Sequence, residues 1–336
     1  MRSEAWRSPV VLATLAMLCC CSPPAAQGEK ALGELVLERV KFGDDLGKRA
    51  HAHVAKLVGF GERYSGTPGW RQSLDYLAKQ LTELGLEVER DRWHDAKENV
   101  EFENVVGRLH GRSSERIVLG AHHDTKRCAG HDDPAHNFLF LGANDSGSGC
   151  GLLLALAEDL KKRDNPASFD FVFFDGEESM TWDWNGGARA LFGSRRFAAR
   201  ERELVVGKPK PRIATFILLD MVGAKDLQLD DETNSDPELK RIFRAAAKAC
   251  GHESYFFQKQ QSVSDDHLPF LDLGIRSIDL VDLFDNPQWH TKDDVLEHIS
   301  DKSLQIVGEV VLTALPEIER SYLTVKPVAS RPTEKR

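Results

Sequence analysis

The chain has 336 residues with 44 Lys and Arg against 53 Asp and Glu, a formal net charge of −9 with no basic stripe, which excludes a binder of nucleic-acid backbones. Hydrophobic residues make up 41% and charged residues 29%, a globular composition with enough apolar side chains for a sizeable core. Half of the six cysteines lie in the first 21 residues, so Cys128, Cys150 and Cys250 allow at most one disulfide and exclude a disulfide scaffold.

Residues 1–28 read as an export signal. Arg2 and Arg7 precede an apolar run over 10–18 that is too short to span a bilayer. Cys19, Cys20 and Cys21 offer a lipid-modified cysteine, and Ala25 and Ala26 offer a later cut; both stay open. The expected product is periplasmic, secreted or lipid-anchored, without a transmembrane helix. Removing these residues takes away Arg2, Arg7 and Glu4 and leaves the balance acidic. Residues 29–326 are expected to form one domain, and 327–336, polar with two prolines, a fraying tail.

Trp70, Leu74, Leu77, Leu81 and Leu84 recur at helical spacing and stop at Gly85, which predicts a helix over 69–84. Strands are expected over 86–90, 104–109 and 116–121, then a helix over 149–162 and a fully apolar strand over 168–175. A helix near 188–200, a strand over 213–219, a helix opened by Asp236 and Pro237, a strand over 275–281 and a last helix after Ser300 follow. This alternation predicts a single α/β domain, a mostly parallel central sheet with helices on both faces. Ligand sites in such sheets lie beyond the carboxyl ends of the strands, so polar clusters after apolar runs carry the most weight.

Six clusters qualify: His122-His123-Asp124-Thr125, Asn144-Asp145-Ser146-Gly147, Glu177-Glu178, Asp220, Asp265-Asp266-His267, and Trp289-His290-Thr291 ahead of Asp293 and Asp294. Taken singly, each has an ordinary explanation. Paired histidines at a strand end hydrogen-bond, Asp145 caps a helix, a Glu pair is solvated, Asp220 is as readily a cap as a ligand, and His290 bonds its loop. Converging, they demand more, because buried carboxylates repel one another and stay ionised only beside a compensating cation. Mixed Asp, Glu and His donors without cysteine suit catalytic zinc, with three protein ligands and one open position.

The ordered set His122, Asp145, Glu177-Glu178, Asp220, His290 resembles the zinc aminopeptidase clan, in which neighbouring members bind two zinc ions. More closely, GAHHDTK, GANDSGSG, FFDGEE, LLDMVGA, DDHLPFLDLGI and WHTKDD, spread from about Arg63 to Leu315, resemble the glutaminyl cyclases of animal type. The interval from Ser179 to Phe192 before Gly193-Ser194-Arg195 points the same way, since aminopeptidases of this kind place Gly-Ser only a few residues after the Glu pair. Trp182 and Trp184 in that interval either form an aromatic wall of the substrate pocket or pack a surface loop; Trp289 beside His290 is the stronger pocket candidate.

The resemblance implies a zinc-dependent enzyme that closes the N-terminal glutamine of peptides or proteins into pyroglutamate and releases ammonia. By it, Asp145, Glu178 and His290 hold one zinc, with His122 and Asp220 beside them or left over from a second metal site. Glu177 carries the proton, and Asp220 and Asp265 form an acidic network around the leaving nitrogen. Two departures stand out. Asp279 occupies the strand position of a cyclase histidine and is expected to face a substrate amine or a second cation. Ala121 replaces a cysteine that pairs with the position of Cys150, so Cys150 is unpaired or bridges to Cys128. A dinuclear zinc aminopeptidase is the alternative, with two metals; a non-catalytic ectodomain is a third reading, opposed by the retained ligands. One copy of the chain, without nucleic acid, is the default assembly.

Overall fold

The computed structural model describes residues 34–41, 43–184, 187–203 and 212–324. The export signal and the polar tail lie outside the described residues. From Leu35 onward the chain is one unit, and its elements are α1 (Leu46–Val58), α2 (Pro68–Glu83), β1 (Glu87–Asp95), β2 (Val100–Leu109), β3 (Arg116–His122), α3 (Gly147–Leu160), β4 (Ser168–Phe174), α4 (Phe192–Glu203), β5 (Ile213–Asp220), β6 (Asp231–Glu232), α5 (Pro237–Cys250), β7 (Gln260–Gln261), α6 (Leu268–Leu271), β8 (Arg276–Val281) and α7 (Asp301–Tyr322).

Six strands form one sheet in the order β1-β2-β4-β3-β5-β8, while β6 and β7 make a small separate pair. The pairs β4–β3, β3–β5 and β5–β8 are parallel; β1–β2 and β2–β4 are antiparallel. Every residue of β3, β4 and β5 is buried, as continuous apolar runs require when both faces are covered. On one face α1, α2, α3, α5 and α7 share the large core. On the other, Phe197 of α4 and Phe270 of α6 pack on Val118, Val172, Phe174 and Phe216.

Local chemistry sets the element ends. The Thr67 side chain accepts from the Trp70 N–H and Pro68 opens α2. Asp236 caps α5 through the N–H groups of Glu238 and Leu239, and Ser300 caps α7 through Ser303. The helix expected from 188 starts only at Phe192, for a backbone reason. Leu191 sits at φ +58, and the N–H groups of Leu191 and Phe192 donate to Glu177 O and Gly176 O, which ties this segment to the Glu177-Glu178 turn. Cys128, Cys150 and Cys250 are free thiols, all buried, so Cys128 and Cys150 are not bridged. Among the described residues no helix is long and apolar enough to cross a membrane.

Candidate active site

The chain leaves β3, passes through α3 to β4 on one side, then crosses back through α4 to β5 on the other. The strand order reverses at β3, and the polar clusters gather beyond the carboxyl ends there. His122 ends β3 and Asp220 ends β5. Asp145 lies just ahead of α3, and His290 follows β8 in a loop, at φ +51. After β4, Gly176 turns the chain at φ +67, where a Cβ would run into the Phe102 ring. That turn presents Glu177 and Glu178.

Two carboxylates of the sequence clusters, to which no role is given there, fix the backbone of this site. Asp124 accepts from the N–H groups of Glu177 and Glu178, each at 3.2 Å. Asp294 accepts from Asn144 N at 2.7 Å and Asp145 N at 3.0 Å. Arg63, fully buried, donates to the carbonyls of His123, Leu141 and Gly142 and so binds the loops together.

The side chains form two triads that share one aspartate. His122 Nε2 lies 3.1 Å from Asp145 Oδ1 and 3.3 Å from Asp220 Oδ1. His290 Nε2 lies 3.0 Å from Glu178 Oε1 and 3.4 Å from Asp145 Oδ2. Within each triad the donor atoms fall inside 4.8 Å of one another. Despite these distances, neither nitrogen of His122 nor Oδ1 of Asp220 makes a hydrogen bond of good geometry. Unpaired buried polar atoms cost about 1–3 kcal/mol each, and the His122 donors, which crowd together without bonding to each other, fit a cation between them; in the second triad His290 Nε2 and Glu178 Oε1 hydrogen-bond across the space a cation would take. Imidazole and carboxylate donors without a thiolate fit zinc.

The charges agree with that fit. Burial pushes the Glu177 carboxyl well above its ordinary range; His122 pulls it back, and Asp265 and Glu178 push it up again. Asp265 is likewise raised by burial and by Asp220 and Asp266. Asp145 goes the other way, because His122 and His290 outweigh its burial. His290 is raised to about 9: burial opposes its charge, and Glu178 and Asp145 prevail.

A cavity of about 250 Å³ opens over these groups, lined by Asp145, Glu177, Glu178, Asp220, Asp265 and His290 with apolar walls from Trp184, Met221, Val263, Leu283 and Trp289. Trp289, 40% exposed, stands at the rim and stacks on His290 with ring centroids 4.3 Å apart. Trp184 is therefore a wall residue. Trp182 is outside the residues that line this cavity; its ring stacks on His136 at 3.6 Å and lies 5.9 Å from the His290 ring. Asp279 does not line the cavity: it is fully buried on β8, with Oδ2 3.6 Å from His267 Nδ1 and the cavity acids Asp265 and Asp220 as its charged neighbours.

The model of peptidase family M28 matches residues 104–315. A glutaminyl-peptide cyclotransferase of Drosophila melanogaster is 27% identical over 276 residues, 73% of this chain and 75% of that protein. Among solved structures, glutaminyl cyclase from an Acidobacteriales bacterium superposes with a TM-score of 0.74 at 29% identity, covering 88% of this chain and 99% of the other. A Zn-dependent exopeptidase from Parabacteroides distasonis gives a TM-score of 0.71 at 26% identity, covering 82% and 99%.

Proposed function

The chain belongs to peptidase family M28, and from that premise we propose that it is a glutaminyl-peptide cyclotransferase, an exported zinc enzyme that converts N-terminal glutamine to pyroglutamate. The observation that carries this reading is Trp184, supplied by the long interval after Glu178, on the same cavity wall as Glu177 and Asp145. A flat glutamine side chain folded back on its own α-amine fits a cavity lined by both aromatic and acidic side chains. The curated relatives named for the same activity support it.

Asp145, Glu178 and His290 would hold the zinc. When bound, it supplies Lewis-acid polarisation of the glutamine side-chain carbonyl. The α-amine nitrogen bonds to the side-chain carbonyl carbon, and the bond from that carbon to its amide nitrogen breaks. Glu177 takes the amine proton and returns it to the departing nitrogen, which leaves as ammonia. A carboxyl held above the usual range suits that exchange near neutral pH. Asp265 and Asp220, both on the cavity wall, position the leaving nitrogen and share protons around it. The attack is intramolecular, since amine and amide belong to one residue, and needs no water nucleophile; Trp184 and Trp289 hold the bent pose that brings them together.

One observation favours the dinuclear aminopeptidase as a second reading: the His122-Asp145-Asp220 triad is also complete. Incubation with Gln-Ala and with leucine p-nitroanilide separates the two. Cyclisation predicts ammonia from the first, no p-nitroaniline from the second, and one zinc per chain. Glu177→Gln should retain zinc and lose about 100-fold or more in kcat. Leucine release without ring closure would overturn the cyclase reading.

A further inference from the structure

Lys126 belongs to the GAHHDTK segment, yet the proposed reaction gives it no task. Its side chain is 2% exposed. Nζ lies 3.3 Å from Glu178 Oε2, 3.1 Å from Ser179 O as a hydrogen-bond donor, and 5.9 Å from the centre of the Trp184 ring. An ammonium is costly to bury without a partner, and Glu178 is the partner given to it.

The two oxygens of Glu178 therefore have different neighbours. Oε1 lies 3.0 Å from His290 Nε2, inside the donor triad. Oε2 turns to Lys126 and makes no hydrogen bond, so the contact is a bare ion pair. General offsetting of the acidic site would be served by a cation anywhere near it. This one stands against the outer oxygen of a single candidate ligand, and the same ammonium lies over the Trp184 ring, 5.9 Å from its centre. We infer that Lys126 is a positioning residue: it occupies Glu178 Oε2, reserves Oε1 for the metal, and couples the position of Trp184 to the donor set. Drawing charge away from Glu178 also makes that carboxylate a weaker donor and leaves the bound cation a stronger Lewis acid. The inference rests on the metal role proposed for Glu178, and not on cyclisation.

Cobalt(II) in place of zinc gives a direct readout, because its visible bands weaken as more oxygens join the metal. In Lys126→Met protein with native circular dichroism, Glu178 Oε2 is free to join the cation. The expected result is a loss of visible band intensity and a fall in kcat of about 10–100-fold with KM little changed. Should Lys126→Met fail to fold, Lys126→Ala carries the test, with ethylammonium in the buffer refilling the space with a cation and restoring the native spectrum. A cobalt spectrum identical to that of the unsubstituted protein, in either folded variant, overturns the inference. If the unsubstituted protein closes no ring on Gln-Ala, the cyclase reading fails while the cobalt spectra still decide the role of Lys126.

Discussion

Glu177 and Glu178 are neighbours in sequence and differ in what surrounds them. Glu178 is held by His290 and Lys126; Glu177 faces the cavity with Asp265, and its nearest cation, His122 Nε2, is 3.9 Å away. Asp124 makes that division possible by receiving both backbone N–H groups. In Asp124→Asn one carboxylate oxygen becomes an NH₂ group that meets an N–H donor head on, so the turn must shift. Zinc affinity is expected to fall about 10–100-fold, measured by competition with a chromophoric chelator; unchanged affinity would mean that the turn holds without Asp124. His122, Glu177, Glu178 and Asp220 were legible because each ends or follows an apolar strand, and Asp145 and His290, which sit in loops, because their segments carry side chains suited to metal. The roles of Asp124, Asp294 and Arg63 were not, because they act on backbone groups of residues far along the chain, and no spacing in sequence encodes that.

At the level of elements, the strands β3, β4, β5 and β8 read out to within a residue; β3, β4 and β5, covered on both faces, are mostly apolar runs. The outer strands β1 and β2 run longer than expected, because β1 is an edge strand whose charged residues hide its period. Their antiparallel pairing was not legible either, as register depends on partners rather than on composition. Helix α1 was missed although Leu46, Ala50, Val54 and Leu57 are buried at helical spacing; the Asp45 side chain makes no capping bond to announce it. Helix α3 is buried apart from Glu158 and packs so closely on the sheet that a Cβ on Gly149 would run into Leu219 O, with Ala121 Cβ 3.1 Å away. Alanine gains about 1 kcal/mol in helix propensity over glycine, but a backbone oxygen in a central strand cannot yield. Gly149→Ala is expected to cost about 1–3 kcal/mol net and to loosen zinc binding through Asp145. A melting temperature equal to or above the parent's would show that the strand does move aside.

Across the whole molecule, the acids and histidines of the site make stability depend on pH and metal together. Glu177, Asp265 and Asp279 are raised well above the ordinary carboxyl range by burial and neighbouring acids, and Asp266 is raised to about 7. His290 is raised to about 9. For all of them the folded state binds more protons than the unfolded chain, so stability falls as pH rises. The carboxyls begin to lose it above their unfolded pKa, near 4; His290 keeps its share below about 6.5 and loses it through about 9. The acid limit has the opposite cause. Glu232 is lowered to about 2, because His267 and the N–H of Asn234 outweigh its burial, and its contribution disappears as pH falls from about 4.5. Metal-stripped protein should therefore be most stable near about pH 5 and melt about 5–10 °C lower at about pH 8.5. Zinc replaces the missing protons as the compensating charge and binds only deprotonated ligands, so it should raise the melting temperature far more at the higher pH and flatten the profile. Calorimetric scans of stripped and zinc-loaded protein across that range test the point, and a stripped protein whose melting temperature rises toward pH 8.5 would mean that the buried acids carry their charge without a cation.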